Sequence, residues 1–149
     1  MEEKIYHMSL DLTMSIINGK WKSLILCYLG LKPRRNGELL REIPEISQKV
    51  LTQQLKELTD DGVVQRITYP GLPLHVEYSL TSEGKSLRKV LIDMSVWGEN
   101  HAQKMKQDGQ EVCFMSNNYH GYLNIDDTKK NINHRLDSFS SSIVHCRLP

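Results

Sequence analysis

Residues 44–62 read PEISQKVLTQQLKELTDDG, and the spacing of their apolar side chains decides the kind of chain this is. Val50, Leu51, Leu55 and Leu58 recur at helical intervals and give the segment one apolar face. The opposite face carries Gln48, Lys49, Thr52, Gln53 and Lys56, all polar and free to point outward. Ser47 is placed to cap the helix, because its hydroxyl oxygen can accept from an orphan amide of the first turn. Gly62 ends it, since glycine takes the left-handed backbone angles that close a helix. The spacing therefore predicts a helix from Ser47 to about Asp61.

Immediately upstream, residues 38–43 (ELLREI) make a brief helix closed by Pro44, and Pro44-Glu45-Ile46 form a tight turn. A short helix, a turn and a second helix with an apolar inner and a polar outer face make a helix-turn-helix. The major groove of B-DNA admits one helix, and the carboxamides of Gln48 and Gln53 can both donate to and accept from base edges there. Thr52 can touch a base or a phosphate, whereas Lys49 and Lys56 suit phosphates. The same outer face is also what an ordinary solvated helix presents, so the neighbouring elements have to decide between the two.

Further upstream, Leu10, Leu12, Met14, Ile16 and Ile17 fit a short helix over residues 9–17, stopped by Asn18-Gly19. Residues 20–31 place Trp21, Leu24, Ile25, Tyr28 and Leu29 on one helical stripe, ended by Gly30 and Pro33. Residues 34–37 form a polar connector, in which Arg34 and Arg35 are further cationic candidates for a DNA backbone.

Downstream, residues 63–69 and 75–80 are two β-rich runs joined by PGLPL, a turn-rich linker, so they read as a hairpin. Arg66 and His75 flank the turn, where a wing meets the sugar-phosphate backbone or the minor groove. Thr81 or Ser82 can cap a final helix in which Leu87, Val90, Leu91, Met94 and Trp97 repeat, running to about Met105. The order helix, helix, helix, helix, hairpin, helix predicts a mainly α chain with a small β wing, an α+β winged helix-turn-helix over residues 1–107. From Asp108 onward apolar residues are sparse and aperiodic, and residues 108–149 are expected to form a weakly ordered extension, with little support for a helix over 128–139.

A chain of 149 residues with net charge +1 suits one main domain and advertises no overall basicity. The charge is local: residues 20–66 hold nine Lys or Arg against six Asp or Glu, and this excess lies where the DNA contacts are expected. The N-terminus lacks the basic start and apolar stretch of a signal peptide, and no run approaches the length of a membrane span, so a cytoplasmic protein with no membrane partner is expected. Cys27, Cys113 and Cys146 have neither a disulfide-framework nor a zinc spacing and read as reduced thiols. The six dispersed histidines give no metal site, and no cofactor is expected. With no phosphate-cradling glycine loop, nucleophile elbow or carboxylate pair, an enzyme is not expected. A DNA-binding regulator leads, and a winged-helix module that binds protein is the alternative, because fold does not fix function.

Three motifs in order, NGKWK at 18–22, ISQKVLTQQLKEL at 46–58 and VEYSLT at 76–81, resemble the HxlR-type winged-helix regulators of the MarR-like superfamily over residues 9–97. The resemblance implies a bacterial homodimer, closed by its first and last helices, that binds an inverted-repeat operator and represses or activates transcription. It places Ser47, Gln48, Lys49, Thr52 and Gln53 in the recognition helix and residues 70–75 at the wing tip. Leu10, Met14, Leu87, Leu91, Met94 and Trp97 are then the dimer-interface candidates. Three positions depart from the family pattern. Met8 stands where many members carry a sensing cysteine, and a thioether forms no thiolate. That leaves Cys27, expected to be buried and inert, as the internal thiol through which a redox effector would act, and any small-molecule effector is unspecified. His75 stands where an arginine is common, and Asn36 replaces a usual aromatic after Arg35.

Overall fold

The computed structural model of the chain describes residues 3–43 and 45–114. In order, α1 (Ser9–Ile17), α2 (Lys22–Leu31), α3 (Asn36–Glu42) and α4 (Gln48–Asp60) are followed by β1 (Val64–Tyr69), β2 (His75–Leu80) and α5 (Ser82–Gln107). The chain divides into two compact units, one ending at Ser86 and one beginning at Leu87. Pro44, Cys146 and the segment 128–139 lie outside the described residues.

The first unit has its core where α2, α3, α4 and the base of the hairpin meet. Ile25, Leu26, Leu39, Ile43, Leu51, Leu55, Leu58, Val63 and Val64 are fully buried there. Each Leu or Ile of that kind contributes about 1.5–3 kcal/mol when taken out of water, so this cluster holds the helix-turn-helix together. On α2 the expected stripe is displaced: Lys22, Ile25, Leu26, Cys27 and Leu29 are buried, whereas Trp21, Leu24 and Tyr28 are half-buried. The helix is enclosed on more than one side, which a single stripe does not anticipate.

The helix ends follow from local chemistry. At α3 the Glu38 carboxylate accepts from the Arg35 backbone N–H at 2.7 Å, closing the first turn. At α4 the Ser47 Oγ accepts from the Val50 N–H at 3.2 Å, the predicted cap. Gly62 has φ +76° and turns the chain from α4 into β1. At the end of α1 it is Gly19, φ +107°, that takes the left-handed geometry, while Asn18 stays extended.

β1 and β2 pair antiparallel, with Val64 opposite Leu80 at the buried base and Tyr69 opposite His75 next to the PGLPL turn. Arg34 adds an isolated antiparallel bridge to Tyr78, its N–H donating to the Tyr78 carbonyl at 2.9 Å and its carbonyl accepting from the Tyr78 N–H at 2.8 Å. The base is pinned to the start of α5 at two points. The Thr81 hydroxyl donates to the Gly62 carbonyl at 2.7 Å and accepts from the Gly84 N–H at 3.0 Å. A Cβ on Gly84 would stand 2.0 Å from the Val63 carbonyl oxygen, so only glycine lets the first turn of α5 run this close.

In the second unit Leu91 and Ala102 are buried, Met94 is 46% and Trp97 is 67% exposed, and the Trp97 ring stacks on His101 at 5.0 Å. Burial raises the Glu99 carboxyl above its ordinary value. Cys113 is disulfide-bonded, which corrects the expectation of three reduced thiols; an odd count still permits one bridge. Among the described residues no helix is long and apolar enough to cross a membrane, and no cluster of His, Cys, Asp and Glu can hold a metal ion.

Candidate nucleic-acid interface

The inner side of α4 is fixed by the buried Leu51, Leu55 and Leu58, and this turns Gln48, Lys49, Thr52, Gln53 and Lys56 outward, all exposed. Two of these side chains are held by neighbours one turn further along. The Gln53 Nε2 donates to the Glu57 Oε1 at 3.0 Å, and the Lys56 Nζ meets the Asp60 Oδ2 at 2.6 Å. The hydrogen bond and charge of Asp60 raise the Lys56 ammonium above its ordinary value. Asp60, however, is an anion on the same face, and phosphates repel it. The first two turns, with Gln48, Lys49, Thr52 and Gln53, carry no acid and hold the positive end of the helix dipole. That half is the one electrostatics admits to a groove.

Behind Glu57 stands Lys22 of α2, which the sequence reading did not single out. Its Nζ lies 2.9 Å from the Glu57 Oε2, with 9% of the Lys22 side chain and 38% of the Glu57 side chain exposed. The Lys22 hydrogen bond, and after it that of Gln53, hold the Glu57 carboxyl below its ordinary value. A signal for Lys22 was present: Lys22, Ile25, Leu26 and Leu29 have the i, i+3, i+4, i+7 spacing of one buried face.

The hairpin side gathers a second polar group. The Arg35 guanidinium donates to the His75 Nδ1, and the His75 Nε2–H donates to the Glu77 carboxylate at 2.6 Å. Tyr69 stands edge-on to the same imidazole at 5.1 Å. Arg66 is exposed and donates to the Thr68 hydroxyl at 3.0 Å. An open cleft beside this group is lined by Lys32, Pro33, Arg35, Glu38, Arg41 and Glu77. Its two acids are committed, Glu38 to the α3 cap and Glu77 to His75, so its available charge is positive.

Arg34 does not join either group. It is 5% exposed, its Nε donates to the Glu42 Oε2 at 2.8 Å, and it supports the hairpin instead of reaching solvent. Its alternation with Arg35 explains the difference: in an extended segment successive side chains point to opposite sides. Of the residues expected at a dimer interface, Leu10 (58%), Met14, Met94 and Trp97 are exposed, Leu87 is half-buried and Leu91 is buried within the chain. Cys27 is 7% exposed.

Against known proteins, a family model described as HxlR-like helix-turn-helix matches residues 16–106. The HTH-type transcriptional regulator YtcD of Bacillus subtilis (strain 168) is 46% identical over 108 residues, 72% of this chain and 86% of that relative. An HTH-type transcriptional regulator of Methanothermobacter thermautotrophicus is 38% identical over 112 residues, 75% of this chain and 86% of that relative. Among solved structures, the redox regulator HypR in its reduced form is 36% identical and superposes with a TM-score of 0.63, covering 67% of this chain and 99% of that one. This similarity agrees with the capped α4 and the hairpin beside it, and the class is one of regulators, not of enzymes. The chain belongs to the HxlR-like helix-turn-helix family of DNA-binding transcriptional regulators.

Proposed function

We propose that the protein acts on the chromosome in the cytoplasm as a homodimer that binds an inverted-repeat operator and so represses or activates transcription. The observation that carries this reading is the acid-free, exposed first half of α4, with Gln48, Lys49, Thr52 and Gln53 presented together by a capped and fully packed helix. Gln48, Thr52 and Gln53 read bases, and Lys49, Arg35 and Arg66 grip phosphates. Lys56 joins them once it parts from Asp60. The dimer closes through α1 and α5: α1 exposes Leu10 and Met14, α5 separately exposes Met94 and Trp97, and water favours neither apolar set. Two recognition helices related by a two-fold axis then stand about 34 Å apart, one turn of DNA.

Purified protein is titrated with promoter fragments against competitor DNA at several salt concentrations. Selective binding whose affinity falls steeply with salt is expected, and binding no tighter than to random DNA overturns the reading. Light scattering tests the dimer: a mass of two chains is expected for the wild type and of one chain for Met14→Glu. If an oxidant releases the operator through Cys27, it has to reach a thiol that is 7% exposed, so release by diamide is slow and is lost in Cys27→Ser.

A further inference from the structure

Gln53 differs from the other outward residues of α4 in having its carboxamide tied down. Glu57 has two carboxylate oxygens, and each has a donor: Oε1 takes the Gln53 Nε2–H at 3.0 Å, and Oε2 takes the Lys22 Nζ at 2.9 Å. Lys22 is held in turn, because its side chain is 9% exposed on the buried side of α2 beside Ile25, Leu26 and Leu29. The chain of restraint runs from the core, through an ion pair, to a side chain at the DNA-facing surface.

That restraint has a chemical direction. An ionised carboxylate can only accept hydrogen bonds, so the Gln53 atom facing Glu57 has to be the nitrogen and cannot be the carbonyl oxygen. Glu57 is ionised at neutral pH as any carboxylate is, and the Lys22 ammonium at 2.9 Å fixes where its two oxygens point. An unrestrained glutamine can present its amide either way round; this one cannot. One amide hydrogen is used on Glu57, and the second N–H and the carbonyl remain, a donor and an acceptor side by side at a fixed orientation. In the major groove adenine presents N7 as acceptor and N6–H as donor, the complementary pair. Guanine presents two acceptors, N7 and O6, and would set O6 against the fixed amide carbonyl. Cytosine and thymine each meet only half of the edge.

We propose that Lys22 and Glu57 are positioning residues that lock the Gln53 carboxamide so that it selects an adenine in each operator half-site. The proposal rests on the reading of α4 as the groove-entering helix.

The test selects binders from a randomised duplex library with the full-length protein and its variants, and reads base preference by sequencing. For the wild type, one adenine per half-site is preferred about tenfold or more over guanine, the range of a good bidentate contact. Gln53→Ala abolishes that preference. Glu57→Met and Lys22→Met bring it to about twofold while the rest of the motif persists, because a freed amide still pairs but no longer in one orientation. Lys22→Arg, which keeps the cation, restores it. Weaker binding in Glu57→Met or Lys22→Met with the adenine preference intact marks a merely structural pair and overturns the proposal. A motif unchanged at every position in Gln53→Ala overturns it too. If no sequence enriches with the wild type, the groove-entering role of α4 itself falls, and the proposal with it.

Discussion

On α4 two outward side chains are held by partners one helical turn away, Gln53 by Glu57 and Lys56 by Asp60. On the hairpin side Arg35 is held by His75, 40 residues later in the chain. The first kind of pair exists as soon as the helix does and adds little to stability when exposed. The second kind exists only when the bridge of Arg34 to Tyr78 and the β1–β2 register have brought α3 and the hairpin together. On the proposed reading, the base-reading side chains thus sit on an element whose exposed pairs are mostly local, and Arg35 sits in a group that depends on the whole first unit.

If that contrast is right, damage to the hairpin base is the gravest injury. Gly84→Ala puts a methyl group 2.0 Å from the Val63 carbonyl oxygen, a backbone atom that cannot swing aside. Overpacking of this kind costs about 3 kcal/mol, and the melting temperature followed by circular dichroism falls by about 10 °C or more. An unchanged melt would show that α5 does not need to start against Val63, and would detach the hairpin from its anchor in this account.

Next in size is Lys22→Met, which cuts the long-range ion pair between α2 and α4. Glu57 is 38% exposed and regains water, so the loss is about 1 kcal/mol at neutral pH rather than the larger cost of a fully buried pair. The pH dependence carries the sign. The folded Glu57 titrates below its ordinary value of 4.5, so its contribution is complete above 4.5 and disappears as pH falls through the depressed folded value. Lys22→Met removes that part of the acid limb. Urea midpoints from neutral pH down to 3 should therefore converge for the two proteins, and midpoints that stay apart at low pH would mean the stability comes from packing of the lysine stem.

The same contrast explains what was legible in the sequence. The capped α4, Gly62, the hairpin and the helix order follow from spacing and turn residues, because each is dictated within a few positions. Gln53 with Glu57 and Lys56 with Asp60 were likewise readable as i, i+4 pairs, though the sequence reading took Gln53 and Lys56 as unencumbered. Arg34 and Arg35 could not be separated in this way, since which of two adjacent arginines faces Glu42 is decided by the strand bridge to Tyr78. The pairing of Lys22 with Glu57 and the close approach at Gly84 to Val63 are also tertiary facts, set at long range.

A smaller effect separates the two halves of α4. Asp60→Asn releases Lys56 from its pair and removes an anion from the outward face, so DNA affinity at low salt rises about threefold and the salt dependence steepens. Stability is barely changed, because the pair is exposed to solvent. Affinity unchanged across salt would place the C-terminal half of α4 beyond the reach of phosphates.

The smallest expected effect probes the hairpin's own device. In the wild type His75 stands between Arg35 and Glu77, its Nδ1 accepting from the guanidinium and its Nε2–H donating to the carboxylate. The imidazole therefore keeps a cation and an anion apart. His75→Ala removes the spacer, and Arg35 can turn onto Glu77, where its charge is spent within the protein. DNA affinity then falls about twofold, and the salt slope drops by about one phosphate contact. The double variant His75→Ala/Glu77→Gln removes the competing carboxylate and recovers both quantities, although neither new residue can itself bind phosphate through a charge. If the double variant is no better than the single one, His75 touches the DNA backbone directly, and the hairpin's grip lies on the strand rather than on Arg35.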